Sequence, residues 1–204
     1  GTIKLDGNYP TGACNVALGD NALGSGSLSG DFNTAVGTNA LLANTSADAN
    51  TAIGRSSLCS NTTGDCNTGL GMNALLGQNS LVSNTTADNN TAVGTCSLTA
   101  NTTGNANTAF GITSLQANTT GANNVAVGRC ALYSNTTASD NTAVGVSSMG
   151  LTTTGCQNTA VGQQSLRTNS TGDNNTALGF YALCSNTTAD NNTAVGFCSL
   201  KTNS

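Results

Sequence analysis

The feature that most constrains the fold of this 204-residue chain is a short motif that recurs along it. The motif is Asn-x-Ala, then an apolar residue, then Gly. The gaps between successive closing glycines are 18, 17, 17 and 23 residues and then 17 residues six times. These eleven glycines are Gly19, Gly37, Gly54, Gly71, Gly94, Gly111, Gly128, Gly145, Gly162, Gly179 and Gly196. A period of this length indicates a solenoid, in which one small unit stacks on copies of itself.

Composition supports a thin, repeated core. With four Phe, three Tyr and no Trp, the chain lacks the large apolar side chains that a single thick core needs. Only 7% of the residues are charged, and the five Lys and Arg residues are too few and too dispersed for binding nucleic acid. No run of 18 apolar residues occurs, so no membrane insertion is expected.

Each unit contains two candidate strands and two corners. The first strand is Thr-Ala-Val, as in Thr142-Ala143-Val144, and the second is Ala-Leu, as in Ala131-Leu132. Gly forms one corner, and the sequence Asn-Thr-Thr-Gly-x-x-Asn forms the other, since these residues accept turn conformations. The pattern predicts an all-β fold: a parallel β-solenoid of about eleven 17-residue coils with two short strands per coil.

Stacking coils about 4.8 Å apart places like residues in columns. We expect the Leu column to face the interior, together with the Val column: Leu18, Val36, Ile53, Leu70, Val93, Phe110, Val127, Val144, Val161, Leu178 and Val195. The small Ala column on the other side of the strand would then suit close packing between chains, and a homotrimeric rod is the preferred assembly. The alternative is a monomeric solenoid with Ala inside.

The solenoid is expected to span residues 14–204, preceded by a lead-in or cap at residues 1–13. Six extra residues lie between Gly71 and Gly94, where a loop is expected to bulge from one coil. Such insertions in repeat proteins are either tolerated loops or part of a binding face.

One Asn precedes the first strand in all eleven copies. Amides that hydrogen-bond to copies above and below would explain this, as in the Asn ladders of cross-β structures. The predicted ladder comprises Asn33, Asn50, Asn67, Asn90, Asn107, Asn124, Asn141, Asn158, Asn175 and Asn192.

The repeat also carries a resemblance. Asn-Thr-Ala-Val-Gly-x-x-Ala-Leu followed by Asn-Thr-Thr-Gly-x-x-Asn resembles repeats of phage and giant-virus fibre proteins over residues 14–203. Its Ala-Val-Gly core is similar to the head repeats of trimeric autotransporter adhesins. The resemblance implies a left-handed β-roll in which three chains pack side by side. The period of 17 is longer than that of the adhesin repeat, and Thr stands where those heads carry an apolar residue.

Cys, Asp and sequon Asn residues are candidates for disulfide formation, metal binding and glycosylation. Of the eight cysteines, Cys59 and Cys66 flank one corner and form the best candidate for a disulfide within a coil. Asp48 and four other Asp residues share a corner position, but one carboxylate per coil is weak ligation for calcium, so no metal or other cofactor is expected. At the long corner, sequons, which a secretory eukaryotic source would glycosylate and which otherwise serve as turn residues, begin at Asn44, Asn61, Asn84, Asn101, Asn118, Asn135, Asn169 and Asn186.

An enzyme is not expected, because the chain has no His or Glu and no nucleophile or phosphate-binding motif. The favoured function is a structural and adhesive fibre module on a virion or cell surface. Its partners would be itself, as a homotrimer or an end-to-end filament, and a host-surface receptor or glycan. Two alternatives stay open: a self-assembling extracellular filament, and an ice-binding solenoid. The paired corner threonines, as in Thr62-Thr63, are adjacent and do not form the alternating Thr-x-Thr pattern of ice binders.

Overall fold

A computed structural model describes residues 14–26, 29–70 and 85–201. These residues contain eleven three-residue strands and no helix. The strands are β1 (Val16–Leu18), β2 (Thr34–Val36), β3 (Thr51–Ile53), β4 (Thr68–Leu70), β5 (Thr91–Val93), β6 (Thr108–Phe110), β7 (Val125–Val127), β8 (Thr142–Val144), β9 (Thr159–Val161), β10 (Thr176–Leu178) and β11 (Thr193–Val195).

All eleven strands form one parallel sheet in chain order. Each strand pairs with its copy in the next coil, so that Thr142 lies beside Thr159, Ala143 beside Ala160 and Val144 beside Val161. With parallel neighbours about 4.8 Å apart, the eleven strands extend about 50 Å along the axis. The expected all-β fold and the stacking of like residues in a parallel β-solenoid are confirmed, with about ten turns of about 17 residues.

Each described coil has one strand, so the prediction of two was wrong. The Ala-Leu segment is a tight turn: Leu132 has a φ of 49° and Cys130 a φ of 59°, both in the left-handed region that a strand excludes. The N–H of Asn135 donates to the carbonyl of Leu132 at 3.2 Å across this turn. The apolar pair Ala131-Leu132 is therefore buried because the turn folds inward.

The strands also face the opposite way from the prediction. Thr and Val do share one side of each strand, but that side is the outer one. Ala143 is 0% exposed, whereas Val36, Val93 and Val144 are only partly buried, and Leu178 at the same position is 46% exposed. The interior is already occupied by the inward turns and by buried amides, which leaves room for a single Cβ from the strand.

The interior is a stack of few side chains. The Leu column faces inward as predicted, and its fully buried members are Leu23, Leu41, Leu58, Leu98, Leu115, Leu132, Met149, Leu166 and Leu183. The residue before each Leu is small, such as Ala131 or Ser148, and is also buried. The described coils with these buried Leu or Met residues thus contribute one large apolar side chain, two small residues and polar groups each, and the core is continuous only through stacking.

The glycine after each strand is required by the stacking. Gly128 has a φ of 131°, and a Cβ on it would lie 2.6 Å from the carbonyl oxygen of Gly145 in the next coil. Both the backbone conformation and the close approach of the next coil therefore exclude other residues.

The 23-residue spacing does not change the sheet. Thr68 of β4 pairs with Thr91 of β5, as Thr51 of β3 pairs with Thr68. The predicted bulging loop falls largely on residues 71–84, outside the described residues, as does the predicted lead-in at residues 1–13.

Candidate functional site

The asparagine before each strand is a structural group whose amide is used inside the solenoid. The N–H of Asn124 donates to Oδ1 of Asn107 at 3.1 Å, and Oδ1 of Asn124 accepts the N–H of Asn141 at 3.1 Å. Nδ2 of Asn124 donates across the interior to the carbonyl of Ala138 at 2.8 Å. Nine of the ten predicted ladder residues are fully buried, and Asn192 is partly buried. These amides bind the chain itself and are not available to a ligand.

A second buried column of asparagines lies at the long corner. Nδ2 of Asn118 donates to the carbonyl of Gly121 at 2.9 Å and to Oδ1 of Asn101 at 2.9 Å. Sequence reasoning missed this role, although these residues recur at one coil position as regularly as the first Asn. The column comprises Asn44, Asn61, Asn101, Asn118, Asn135, Asn169 and Asn186, all of which are 0% exposed.

The second column corrects the suggestion of glycosylation. Its seven members are sequon asparagines, and the eighth, Asn84, lies outside the described residues. A glycan would be attached to Nδ2, the atom that closes the corner turn, and would have to occupy the packed interior. These seven long-corner asparagines are turn residues of the folded chain, and a glycan on them is incompatible with this structure.

Thr152 interrupts the second column. It stands where neighbouring coils have Asn135 and Asn169, and it is equally buried. Oδ1 of Asn135 and Oγ1 of Thr152 both lack a hydrogen-bond partner within the described residues. A threonine cannot supply the amide N–H that Asn118 receives from Asn135, so this step of the ladder is unpaired.

The corner aspartates serve as acceptors for backbone N–H groups. Oδ1 of Asp48 accepts the N–H of Asp31 at 2.7 Å, and Oδ1 of Asp65 accepts the N–H of Asp48 at 2.8 Å. In other coils Asn105 and Ser139 do the same, which explains why this position tolerates several polar residues. No cluster that could hold a metal ion occurs among the described residues.

The eight cysteines are free thiols, and the proposed pair of Cys59 with Cys66 is not formed. The two residues have different surroundings, because Cys59 follows the buried Leu58 in a turn while Cys66 is exposed. Burial raises the pKa of the Cys59 thiol, an effect opposed by its hydrogen bond with Ser60.

The outer strand face is the most regular surface of the molecule. It consists of two columns, and no charged residue occurs in either. The first residue of each strand forms the Thr column, with Val at positions 16 and 125, and the third residue forms the apolar column, which is aliphatic except for Phe110. The hydroxyl groups of the strand threonines, such as Thr142, form no hydrogen bond within the described residues. The first corner threonines differ, since Oγ1 of Thr119 donates to the carbonyl of Thr136 at 3.0 Å. The strand face thus presents free hydroxyls and exposed aliphatic groups at the spacing of the coils.

A small aromatic cluster lies beside this face, just after β10 and β11. The rings of Phe180 and Phe197 are parallel within 4°, with centroids 5.5 Å apart. The ring of Tyr181 meets that of Phe180 edge-on at 4.3 Å, and Nζ of Lys201 lies 5.7 Å from the Tyr181 centroid.

Comparison with known protein families, with curated proteins and with solved structures finds no match. Among the described residues there is no helix of the length and apolarity needed to span a membrane. The fold is a parallel β-solenoid. Its function is argued from the surfaces described above.

Proposed function

We propose that this solenoid is a rigid structural rod, outside the cell or on a virion, that joins copies of itself through its strand face and displays its corners for attachment. The observation that carries the proposal is that the polar side chains of each coil bond within the solenoid, whereas the strand face does not. Both buried Asn residues and the corner side chains hydrogen-bond to the coil itself or its neighbours. The uncharged strand face has no such partner.

The hydrogen-bonded columns account for rigidity. The described coils are joined by backbone bonds at the strand and at the corners, for example from Leu132 N–H to the Ser148 carbonyl at 3.1 Å. Buried side-chain amides add two further lines of bonds parallel to the axis. A rod built in this way keeps its length and orientation under load, which suits a spacer or fibre.

The assembly we favour is a left-handed homotrimer, as the resemblance to fibre and adhesin repeats implies. The contact surface cannot be the Ala column, which is buried within each chain. The exposed apolar column is the alternative: Ile53 is 37% exposed, Phe110 55% and Leu178 46%. Three such faces meeting around one axis would bury apolar area that a single chain leaves in water.

The molar mass in solution tests the assembly. A trimer has three times the 20.0 kDa mass of the chain, and a double change of Val144→Lys and Val161→Lys should convert it to the monomer, because charges would enter the shared interface. The matched control is Thr137→Lys at an exposed corner, which should leave the mass unchanged. A wild-type mass of one chain contradicts the trimer, and a mass that grows with concentration supports the filament instead.

One observation favours a second function, binding to ice or another ordered surface. The strand threonines form a column of free hydroxyls about 4.8 Å apart, interrupted by Val125 in β7, beside an apolar column on the same face. The paired corner threonines, as in Thr62-Thr63, are not part of this column of strand hydroxyls. Thermal hysteresis at micromolar protein, lost on Thr142→Lys and retained on Thr137→Lys, would support it; an absence of hysteresis would exclude it.

A further inference from the structure

The aromatic cluster of Phe180, Tyr181 and Phe197 concentrates a scarce residue type. The chain contains only seven Phe and Tyr residues, and these three lie within two successive coils. Exposed apolar surface of this kind in a monomeric unit marks an interaction site more often than chance. Phe180, which has a coil on either side, is 36% exposed, and Phe197 lies in the last described coil.

The backbone conformation of the coil does not explain the aromatic residue at position 181. Tyr181 has a φ of 56°, a conformation that Asn adopts more easily than a bulky aromatic residue, and Asn21 and Asn39 occupy the same position in other coils. Phe180 and Phe197 stand where Thr38 and Thr95 occur in other coils. At position 181 the chain thus has a residue that suits the backbone better, Asn, and does not use it here.

The charge around the cluster has one sign. Lys201 is held beside the Tyr181 ring and has no carboxylate partner among the described residues. The acidic residues of these coils, Asp173 and Asp190, precede the strands, whereas the aromatic residues follow them. The cluster therefore lies on the edge of the strand face away from the acidic corner.

We propose that this cluster binds an acidic saccharide, one that carries a carboxylate on a pyranose ring. The C–H face of the sugar would lie on the aromatic rings, and the carboxylate would pair with Lys201. Tyr181 adds a hydroxyl that can donate to a sugar oxygen. The inference rests on the attachment function proposed above and names the ligand class for it.

The test uses the full chain and two defined probes, an oligomer of galacturonic acid and the matching neutral oligomer of galactose, in titration calorimetry. We expect the acidic oligomer to bind, with an affinity that falls as salt is raised. Phe197→Thr and Tyr181→Asn should each weaken binding about tenfold through the loss of a stacking surface. Lys201→Gln should weaken the acidic oligomer alone.

Two controls separate binding from folding. Tyr181→Asn places a residue that favours the left-handed conformation, so its unfolding midpoint should equal or exceed that of the wild type. Tyr133→Gln removes an exposed aromatic ring from another coil, at a position that Gln116 occupies one coil earlier, and should leave binding unchanged.

The proposal fails if the acidic oligomer does not bind at millimolar concentration, if the neutral oligomer binds equally well, or if the cluster variants bind like wild type. These outcomes leave the rod and its assembly intact, since those are judged by molar mass. Conversely, a monomeric chain that binds the acidic oligomer contradicts only the trimer.

Discussion

Two asparagines per coil solve the same problem at the scale of the residue. A narrow coil must turn sharply, and its inner backbone groups lie too close to the axis to reach water. Asn carries a donor and an acceptor on a short side chain, so Asn124 can satisfy the N–H of Asn141 and the carbonyl of Ala138 at once. No apolar residue could replace it without leaving the N–H of Asn141 unpaired, whereas the carbonyl of Ala138 would keep the bond from Nδ2 of Asn135.

Replacing Asn124 with Ala tests this role. The change leaves the buried N–H of Asn141 without a partner and removes one of the two amide donors to the carbonyl of Ala138. We expect a loss of about 2 kcal/mol in the free energy of unfolding, measured by urea denaturation. Asn123→Ala is the matched control, because Asn123 is exposed and other coils carry Ala49 or Ala106 at that position. Equal midpoints for the two variants would contradict a structural role for the amide.

Thr152 offers the converse test. Thr152→Asn should restore the interrupted column, since Nδ2 of the new residue can donate to Oδ1 of Asn135. The expected gain is about 1 kcal/mol, read as a higher urea midpoint. Thr154→Asn, at an exposed corner position, should change the midpoint little. A destabilised Thr152→Asn variant would show that this coil differs from its neighbours in more than one side chain.

At the scale of the element, each strand is too short to determine its own orientation. Thr-Ala-Val alternates correctly, so Thr142 and Val144 must share a side, but three residues do not decide which side is inward. Hydrophobicity favours Val, and that preference produced the wrong prediction. The inward turn at Ala131-Leu132 and the two Asn side chains leave space for Ala alone.

Substitutions that change the size of Ala143 and of Val144 test which of the two side chains faces the interior. Ala143→Val adds two methyl groups to a close-packed interior and should destabilise the chain by about 2 kcal/mol. Val144→Ala removes part of an outward side chain and should cost less than about 1 kcal/mol. The reverse order of the two urea midpoints would place Val inside and contradict the observed orientation.

The solenoid as a whole is a sum of near-identical layers, so its length is a property of copy number. Each coil contacts only the coils above and below it, as the chain-order pairing of all eleven strands shows. Stability in such proteins depends on the contribution of each repeat and each interface between repeats. A complete coil can therefore be removed without rebuilding the rest.

Deletion of residues 107–123 removes one complete coil and brings Asn124 into the place of Asn107. The variant should fold and give a rod about 4.8 Å shorter, measured by small-angle X-ray scattering. Deletion of residues 107–115, about half a coil, breaks the register and should lower the unfolding midpoint sharply. Similar behaviour of the two deletions would contradict a layered architecture.

Much of this architecture follows from the sequence, and the reason is repetition. The 17-residue period, the like-on-like stacking and the inward Leu column could all be predicted. Each coil repeats the same pattern, so an assignment of positions has to fit every coil at once. The neighbouring of Phe180 and Phe197 follows from the same period, since they are 17 residues apart. Only the structure shows that Tyr181 meets the ring of Phe180 and that Lys201 lies over the ring of Tyr181.

By itself the sequence determined the period, the parallel register and the residue types at each position of the coil. Only the tertiary structure decided which side of each position faces the interior, placing Ala143 and the sequon Asn135 inside and Val144 outside. The physical reason is that the inside of a coil is defined by its turns, and the left-handed residues at Cys130 and Leu132 make those turns tight. The space they leave accepts small side chains and self-paired amides, whatever their hydrophobicity.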